Sequence, residues 1–574
     1  MKVHEAIAQA LTAEGVTALF GLMGDGNIDV LASIREQGAI ASYEARHEGS
    51  ALAMADGYAR ASGDVGLCYV THGPGLTQLA TSLAVASRHG TPIVVLAGDL
   101  AAVDKGIDNH QDIDQRPIVE ACGALFQPLR AATTVAEDVE QAFWLARSRR
   151  LPVVLNCPVD IQNAEIASVE YRPSRMRLGP VPALPPDPRA LAEALDLLTQ
   201  ARTPVVVAGR GAIAAGALDA LQLLAERIGA ALATSVRAKG ALDGPWSVGV
   251  CGGQASTRGE AVFAAADLVI LVGARADTLA AGAGKLYPQA RTLQIDTNPG
   301  ATVARQPADC LLVGDARIAC ERLLDRLVER NAGGRGFRGG DWSEIFSADP
   351  LEQDIADAPF AIADGALDPR RVAGELDRRI AADATILVGV GHNWSAPTMY
   401  LNGNRTRRFI FAFDFGCIGQ TIPTAFGAWV ADPSRPVVAF EGDASTLMAV
   451  HEFDTLARYR PRMLIFVMND AGLGAEIQKL RASGRDPRAA MLPTPDFAEL
   501  AESFGLTGAR LDSLEQAEGI VAAFASGEGT HVVDVPISRQ VIDRHLRSAF
   551  FSGPTYSEND PRLDAPATLS DAVV

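Results

Sequence analysis

The stretches RPVVAFEGDAST (435–446) and RMLIFVMND (462–470) decide the fold. Each is a run of apolar, largely β-branched and aromatic residues that closes on a small or amide residue and a carboxylate. A strand apolar on both faces needs helices on both faces, which is the setting of a central strand in a parallel sheet. Ligands collect beyond the C-terminal ends of such strands. Asp443 and Asp470, one strand–helix–strand unit apart, are therefore placed at neighbouring strand tips, where two carboxylates could hold one hard cation. Magnesium prefers oxygen ligands and shares them with the phosphates of a substrate or cofactor. Gly442, Ala444 and Ser445 are small enough to let backbone N–H groups approach such phosphates. Either dipeptide alone reads as a turn that ends a strand; their pairing at this spacing points to the cation.

Outward from this pair the same grammar repeats. TALF (17–20), GLCYV (66–70), PIVVLAG (92–98) and PVVLNCP (152–158) read as strands with helical patterns between them. The proline-rich RPSRMRLGPVPALPPDP (172–188) interrupts, and PVVVAG (204–209), ALATS (231–235), LVILVG (268–273) and TLQID (292–296) resume the alternation. A second break, NAGGRGFRGGDWSE (331–344), precedes a third unit that begins near Pro369, with ATILVGVG (384–391) and THVVDVP (530–536) beside the two opening strands. The expectation is an α/β protein of three doubly wound parallel-sheet domains, at 1–171, 189–330 and 360–540, with a polar tail at 552–574.

Composition limits what the chain can do. Its 574 residues exceed one hydrophobic core. A net charge of −18 without a compact basic run excludes nucleic acid as a partner. The seven cysteines show no C-x-x-C spacing, so neither a zinc site nor a disulfide framework is expected, and a reducing cytoplasm fits. The N-terminal segment lacks a signal peptide's apolar core, and no run is long and apolar enough to span a bilayer, so no membrane partner is expected.

The EGDAST and MND pair resembles the signature of thiamine-diphosphate-dependent enzymes, GDG followed one unit later by NN. Ala444 stands for the last glycine and Asp470 for the second asparagine; an added carboxylate still suits magnesium. The resemblance implies thiamine diphosphate held through Mg2+ by Asp443, Asp470 and the backbone carbonyl of Gly472. YEARHEGSALAMADGYAR (43–60) resembles the family's RHE segment, which gives Glu48 the task of sharing a proton with the cofactor's aminopyrimidine. Its bland reading is a carboxylate complementing a helix N-terminus. DFGCIGQTIP (414–423) resembles the segment that bends the cofactor, with Ile418 as the wedge and Gly416 as the carbonyl. GVGHNW (389–394) matches a second diphosphate loop and offers Gly391, His392 and Asn393, although a buried, satisfied histidine is a fair alternative for His392.

The likeness runs over about residues 1–540 and is greatest to acetolactate synthases and 2-oxo-acid decarboxylases. It implies a pyrimidine-binding domain, a central Rossmann-like domain and a diphosphate-binding domain. It also implies a homodimer or homotetramer in which Glu48 reaches a cofactor held by the neighbouring subunit. Asp25 in LMGDGN and Glu476, six residues past Asp470, fall where decarboxylases carry active-site carboxylates. His110 and Gln111 fall at a His-His or Phe-Gln position. His72 replaces a usual serine and resembles cyclohexane-1,2-dione hydrolase, whereas Lys479 stands where acetolactate synthases carry a tryptophan. Three outcomes stay open: carboligation of 2-oxo acids to 2-hydroxy ketones, decarboxylation to aldehyde, and cleavage of a 1,2-diketone. AGRGAIAAG (208–216), GVCGGQAS (249–256) and VGARADT (272–278) resemble flavin-binding stretches without a clean G-x-G-x-x-G, which leaves FAD open and marks Arg210 and Arg275.

Overall fold

The structure is a computed structural model that describes residues 1–107, 109–179, 182–276, 285–300, 307–339, 342–403, 406–550 and 560–564. Strands of branched apolar residues assemble into three six-stranded sheets, and the pairings within each are parallel. The first, in the order β2-β1-β3-β4-β6-β5, joins β1 (Ala18–Gly21), β2 (Ala41–Glu44), β3 (Gly66–Val70), β4 (Ile93–Asp99), β5 (Leu125–Pro128) and β6 (Pro152–Pro158). The second, β12-β11-β10-β7-β8-β9, joins β7 (Pro204–Ala208), β8 (Ala231–Thr234), β9 (Ser247–Val250), β10 (Leu268–Val272), β11 (Arg291–Asp296) and β12 (Cys310–Val313). The third, β14-β13-β15-β16-β18-β17, joins β13 (Thr385–Val388), β14 (Arg408–Phe411), β15 (Val437–Gly442), β16 (Met463–Asn469), β17 (Thr507–Arg510) and β18 (Thr530–Pro536). An α/β fold of three parallel sheets with flanking helices is thus what the sequence leads one to expect.

The first and third sheets share a core. Helix α1 (Glu48–Ser62) lies against α3 (Thr421–Ala431), and Met54, Leu52, Phe20, Ile422 and Phe426 are buried in one cluster. The two backbones touch. A Cβ on Gly57 would stand 2.0 Å from the Thr424 carbonyl oxygen, and one on Gly427 would stand 1.8 Å from that of Met54. Only glycine permits this approach. The central sheet keeps separate clusters on its two faces.

The third sheet positions the site. β15 and β16 pair in register from Val437↔Met463 to Gly442↔Met468, so their C-terminal tips lie side by side. β13 flanks β15 and brings residues 389–393 to the same edge. Of the stretch read as a polar tail, only 560–564 is described, and it is seated: Leu563 packs with Ile477, Ala490 and Met491. Arg539 ties this turn to the site, donating to the Leu563 carbonyl at 3.0 Å and to the carbonyl of Asp470. All seven cysteines are free. Among the described residues no helix is long and apolar enough to cross a membrane.

Candidate active site

Asp443 opens α4 (Asp443–Met448) directly after β15, with Gly442 as the N-cap in extended conformation. The first-turn N–H groups of α4 therefore face outward beyond the sheet, where an anion is favoured. Asp443 is 2% exposed and Asp470 4%. Both line a cavity of about 410 Å³ together with Gly391, His392, Asn393, Ile418, Gly442, Ala444, Ser445, Gly472 and Glu476. Eleven of the predicted residues, from four segments, thus converge on it; Gly416 is not on its wall.

The electrostatics of this cavity call for a cation. Burial, and then the neighbouring charge of Asp470, push the Asp443 carboxyl well above the usual carboxylate range, against a hydrogen bond from Gly472 N to its Oδ2 at 2.9 Å. Two carboxylates brought together out of water resist ionising together unless a positive charge joins them. Among the described residues no cluster of three or more His, Cys, Asp or Glu side chains could hold a metal. A cation between Asp443 and Asp470 would draw its other ligands from backbone carbonyls and from a ligand's oxygens, which is the usual habit of magnesium.

The loop after β16 is shaped for this. Ala471 takes a positive φ of 51°, a costly conformation for a residue with a Cβ. Asn469 supports it, accepting from Ala471 N at 3.1 Å and donating to Asp534 at 3.0 Å. Gly474 opens α5 (Gly474–Ala482), and a Cβ there would stand 1.9 Å from Asp470 Oδ2. His392, expected to touch a diphosphate, has both ring nitrogens engaged already: Nδ1 with Asp470 Oδ2 at 2.7 Å and Nε2 with the Val541 carbonyl at 2.6 Å. It orients the carboxylate. Burial lowers its pKa, but the Asp470 hydrogen bond and charge raise it further, and the net shift is upward.

Sequence reasoning quoted Glu441 but gave it no role. It is fully buried beneath the cavity, and burial raises its carboxyl to about 7 against hydrogen bonds from Thr421, Ser445 and Gly442. Its signal was present as a charged residue ending an otherwise apolar strand. The bend at 414–418 also relies on an acid that went unassigned. Asp414 accepts from His89 Nδ1 at 2.7 Å, Arg60 Nη1 at 3.2 Å and Arg237. Burial opposes its charge, yet His89, Arg60 and Arg237 outweigh that and depress its pKa. From this anchor the chain turns through Phe415 (φ 72°) and Gly416 (φ 74°) to Ile418, and Gly419 N donates to Ser445 Oγ at 2.7 Å.

The N-terminal candidates gather elsewhere. His72 Nε2 meets Gln111 Oε1 at 2.5 Å. A Cβ on Gly26 would stand 2.4 Å from His72 Nδ1, which puts the Asp25–Gly26 turn against that ring. Asp25 and His110 are exposed. Glu48, half-buried, is the first residue of α1 behind the His47 cap, which accepts from Gly49 N at 3.0 Å. None of these lines the Asp443 cavity. Glu476, on its rim, is exposed and paired with Lys479 at 2.9 Å.

The nucleotide stretches of the central sheet look inward. Arg210 Nη1 donates to the His89 carbonyl at 2.8 Å and meets His89 Nε2 at 3.0 Å. Gly211 N, in the 208–216 stretch, donates to the Gly273 carbonyl at 3.0 Å. Arg275 is exposed, and Asp277 and Thr278 lie outside the described residues.

Comparison with known proteins accords with this geometry. Residues 1–118 match the N-terminal TPP binding domain of thiamine pyrophosphate enzymes, 191–323 the central domain and 389–535 the C-terminal TPP binding domain. The acetolactate synthase large subunit of Parasynechococcus marenigrum (strain WH8102) is 32% identical over 549 residues, covering 93% of this chain and 87% of the relative. The acetolactate synthase of Arthrospira platensis is 31% identical over 557 residues, covering 93% and 94%. The acetolactate synthase isozyme 3 large subunit of Escherichia coli (strain K12) is 30% identical over 525, covering 90% of each.

Proposed function

The chain belongs to the thiamine-diphosphate enzymes of the acetolactate synthase and 2-oxo-acid decarboxylase superfamily, and from that premise we propose that it decarboxylates a 2-oxo acid and joins the remaining fragment to a second carbonyl compound. It is an acetolactate-synthase-like carboligase. The observation that carries the reading is the buried pair Asp443 and Asp470 at adjacent strand tips, set beside a helix N-terminus.

Bound thiamine diphosphate supplies a thiazolium that accepts the electron pair of the bond next to the substrate carbonyl. The protein's part is positioning and proton control. Asp443, Asp470 and the Gly472 carbonyl hold Mg2+, and the first turn of α4 at Ala444 and Ser445, with Gly391 and Asn393, receives the diphosphate. Ile418, on the cavity wall, would stand between the two rings of the bound coenzyme, and Gly416 would offer its carbonyl to the pyrimidine amino group. Glu48 shares a proton with a pyrimidine ring nitrogen. A second copy completes each site, in a homodimer or homotetramer; that Glu48 does not line its own chain's cavity supports this reading. Asp25, His72, His110 and Gln111 shape the substrate side of that junction.

The Glu476–Lys479 ion pair stands at the rim, where a proton either reaches the reacting carbon and releases aldehyde or is withheld while an acceptor enters. The named relatives favour the second outcome over plain decarboxylation or diketone cleavage. Arg210, spent on His89, gives flavin no support, and a decarboxylating ligation is redox-neutral. The domain limits at 1–171, 189–330 and 360–540, and a cytoplasmic location for a chain of free cysteines, complete the proposal. The test is to incubate purified protein with thiamine diphosphate, Mg2+ and a panel of 2-oxo acids and 1,2-diketones, identifying products by mass. A 2-hydroxy ketone from 2-oxo acids is expected; aldehyde alone, or a ring-opened acid from a cyclic diketone, overturns the ligase reading.

A further inference from the structure

A second cavity, of about 770 Å³, lies between the β8–β9 region of the central unit and residues 399–403 of the third, away from the Asp443 cavity. It takes in part of the 249–256 stretch, and the chemistry described so far makes no use of it. Its wall carries buried donors without partners. Lys239 is 9% exposed; its ammonium forms no hydrogen bond or ion pair with a described residue and rests over the Phe409 ring, 5.3 Å from the centroid. Burial pushes its pKa down to about 7, Asp377 opposing the shift and Arg407 adding to it. Arg258 gives Nη1 to the carbonyls of Phe346 and Ala348, while its buried Nε has no partner. Gln254 is 2% exposed; its Oε1 accepts from Ser395 Oγ at 2.5 Å and its Nε2 is unpartnered.

A buried donor without an acceptor leaves its lost hydration uncompensated, the more so when it is charged. Two such donors beside the Lys239 ammonium make a wall that an anion would satisfy. Asp243, the carboxylate on this wall, is exposed. Leu242, Val248, Val250 and Met399 also line the cavity and offer apolar surface to an organic body. We propose that this cavity binds a phosphate ester of small-molecule size, its phosphate paired with Lys239 and Arg258 and its organic body laid along Leu242, Val248 and Val250. Gln254 also holds Ser395, which begins α2 (Ser395–Tyr400) two residues after Asn393.

The proposal does not depend on the reaction assigned above, and its test is separate. Protein saturated with thiamine diphosphate and Mg2+, so that the diphosphate site is filled, is titrated calorimetrically with ADP, glucose 6-phosphate and succinate. At least one phosphate ester is expected to bind, with succinate, the carboxylate control, silent. Lys239→Met and Gln254→Glu, the latter able to keep the Ser395 contact, should each weaken it by about tenfold or more, as the loss of a charge-assisted contact predicts. Arg210→Met, in the central crevice, should leave it unchanged. Silence from both phosphate esters, succinate binding as tightly as they do, or binding lost in Arg210→Met but kept in the two cavity variants, overturns the proposal.

Discussion

Asp443 carries more of this site than any other residue, and its environment states what it needs. A carboxyl whose pKa is raised in the fold gives stability at low pH that is lost as pH rises above the ordinary aspartate range toward the raised value. Magnesium with thiamine diphosphate must displace that proton. The thermal midpoint gained on adding both is therefore expected to widen from about pH 5 to about pH 8, and a gap flat across that range contradicts the assignment. Asp443→Asn should weaken coenzyme binding in magnesium by about a hundredfold, read by calorimetry, since a ligand charge is lost from a two-carboxylate site. Glu48→Gln should leave binding near normal but slow hydrogen–deuterium exchange at C2 of the bound coenzyme; unchanged exchange removes Glu48 from that role. At this scale the sequence spoke clearly where chemistry dictates residue type, at Asp443, Asp470, Gly442 and Ile418, all of which line one cavity. It was silent where only packing decides. Nothing in GVGHNW tells that His392 turns both nitrogens away to Asp470 and Val541, or that Gly474 is required by the carboxylate pressed against it.

Among the secondary-structure elements, the strands legible in the sequence are the inner four of each sheet. Those missed, β2, β5, β9, β12, β14 and β17, are the six edges. The reason is burial: β3 and β10 are covered at every position, whereas β2 and β17 are covered fully at none, so their sequences lack the continuous apolar run that identifies an inner strand. The contact of α1 with α3 was equally hidden, because Gly57 and Gly427 in helical patterns look like minor weaknesses until the facing backbone is seen. Gly57→Ala and Gly427→Ala are each expected to lower stability by roughly 1–3 kcal/mol or more, the cost of overpacking against rigid carbonyls. Scanning calorimetry should show the loss in both, and an unshifted transition in either would mean that the two helices part without cost.

For the whole molecule, three units were apparent from the alternation of strand and helix, but their mutual contacts were not, since they rest on residues distant in sequence. Asp414 of the third unit meets Arg60 and His89 of the first and Arg237 of the second, a junction no local pattern announces. The proposed assembly between copies can be tested at this scale. With Glu48 away from its own chain's cavity, mixing Glu48→Gln and Asp443→Asn chains, each inactive, should restore about a quarter of wild-type activity after random exchange into dimers, because a hybrid keeps one intact site of two. No recovery after verified exchange would place both residues in one chain's site. The claim beneath all of this is that one divalent ion between neighbouring strand tips anchors the coenzyme. Anomalous diffraction from crystals grown with Mn2+ and thiamine diphosphate tests it directly. A single manganese peak is expected between the carboxylates of Asp443 and Asp470, beside the Gly472 carbonyl and touching diphosphate oxygens; diphosphate bound with no metal there, or a peak at any other strand tip, contradicts it.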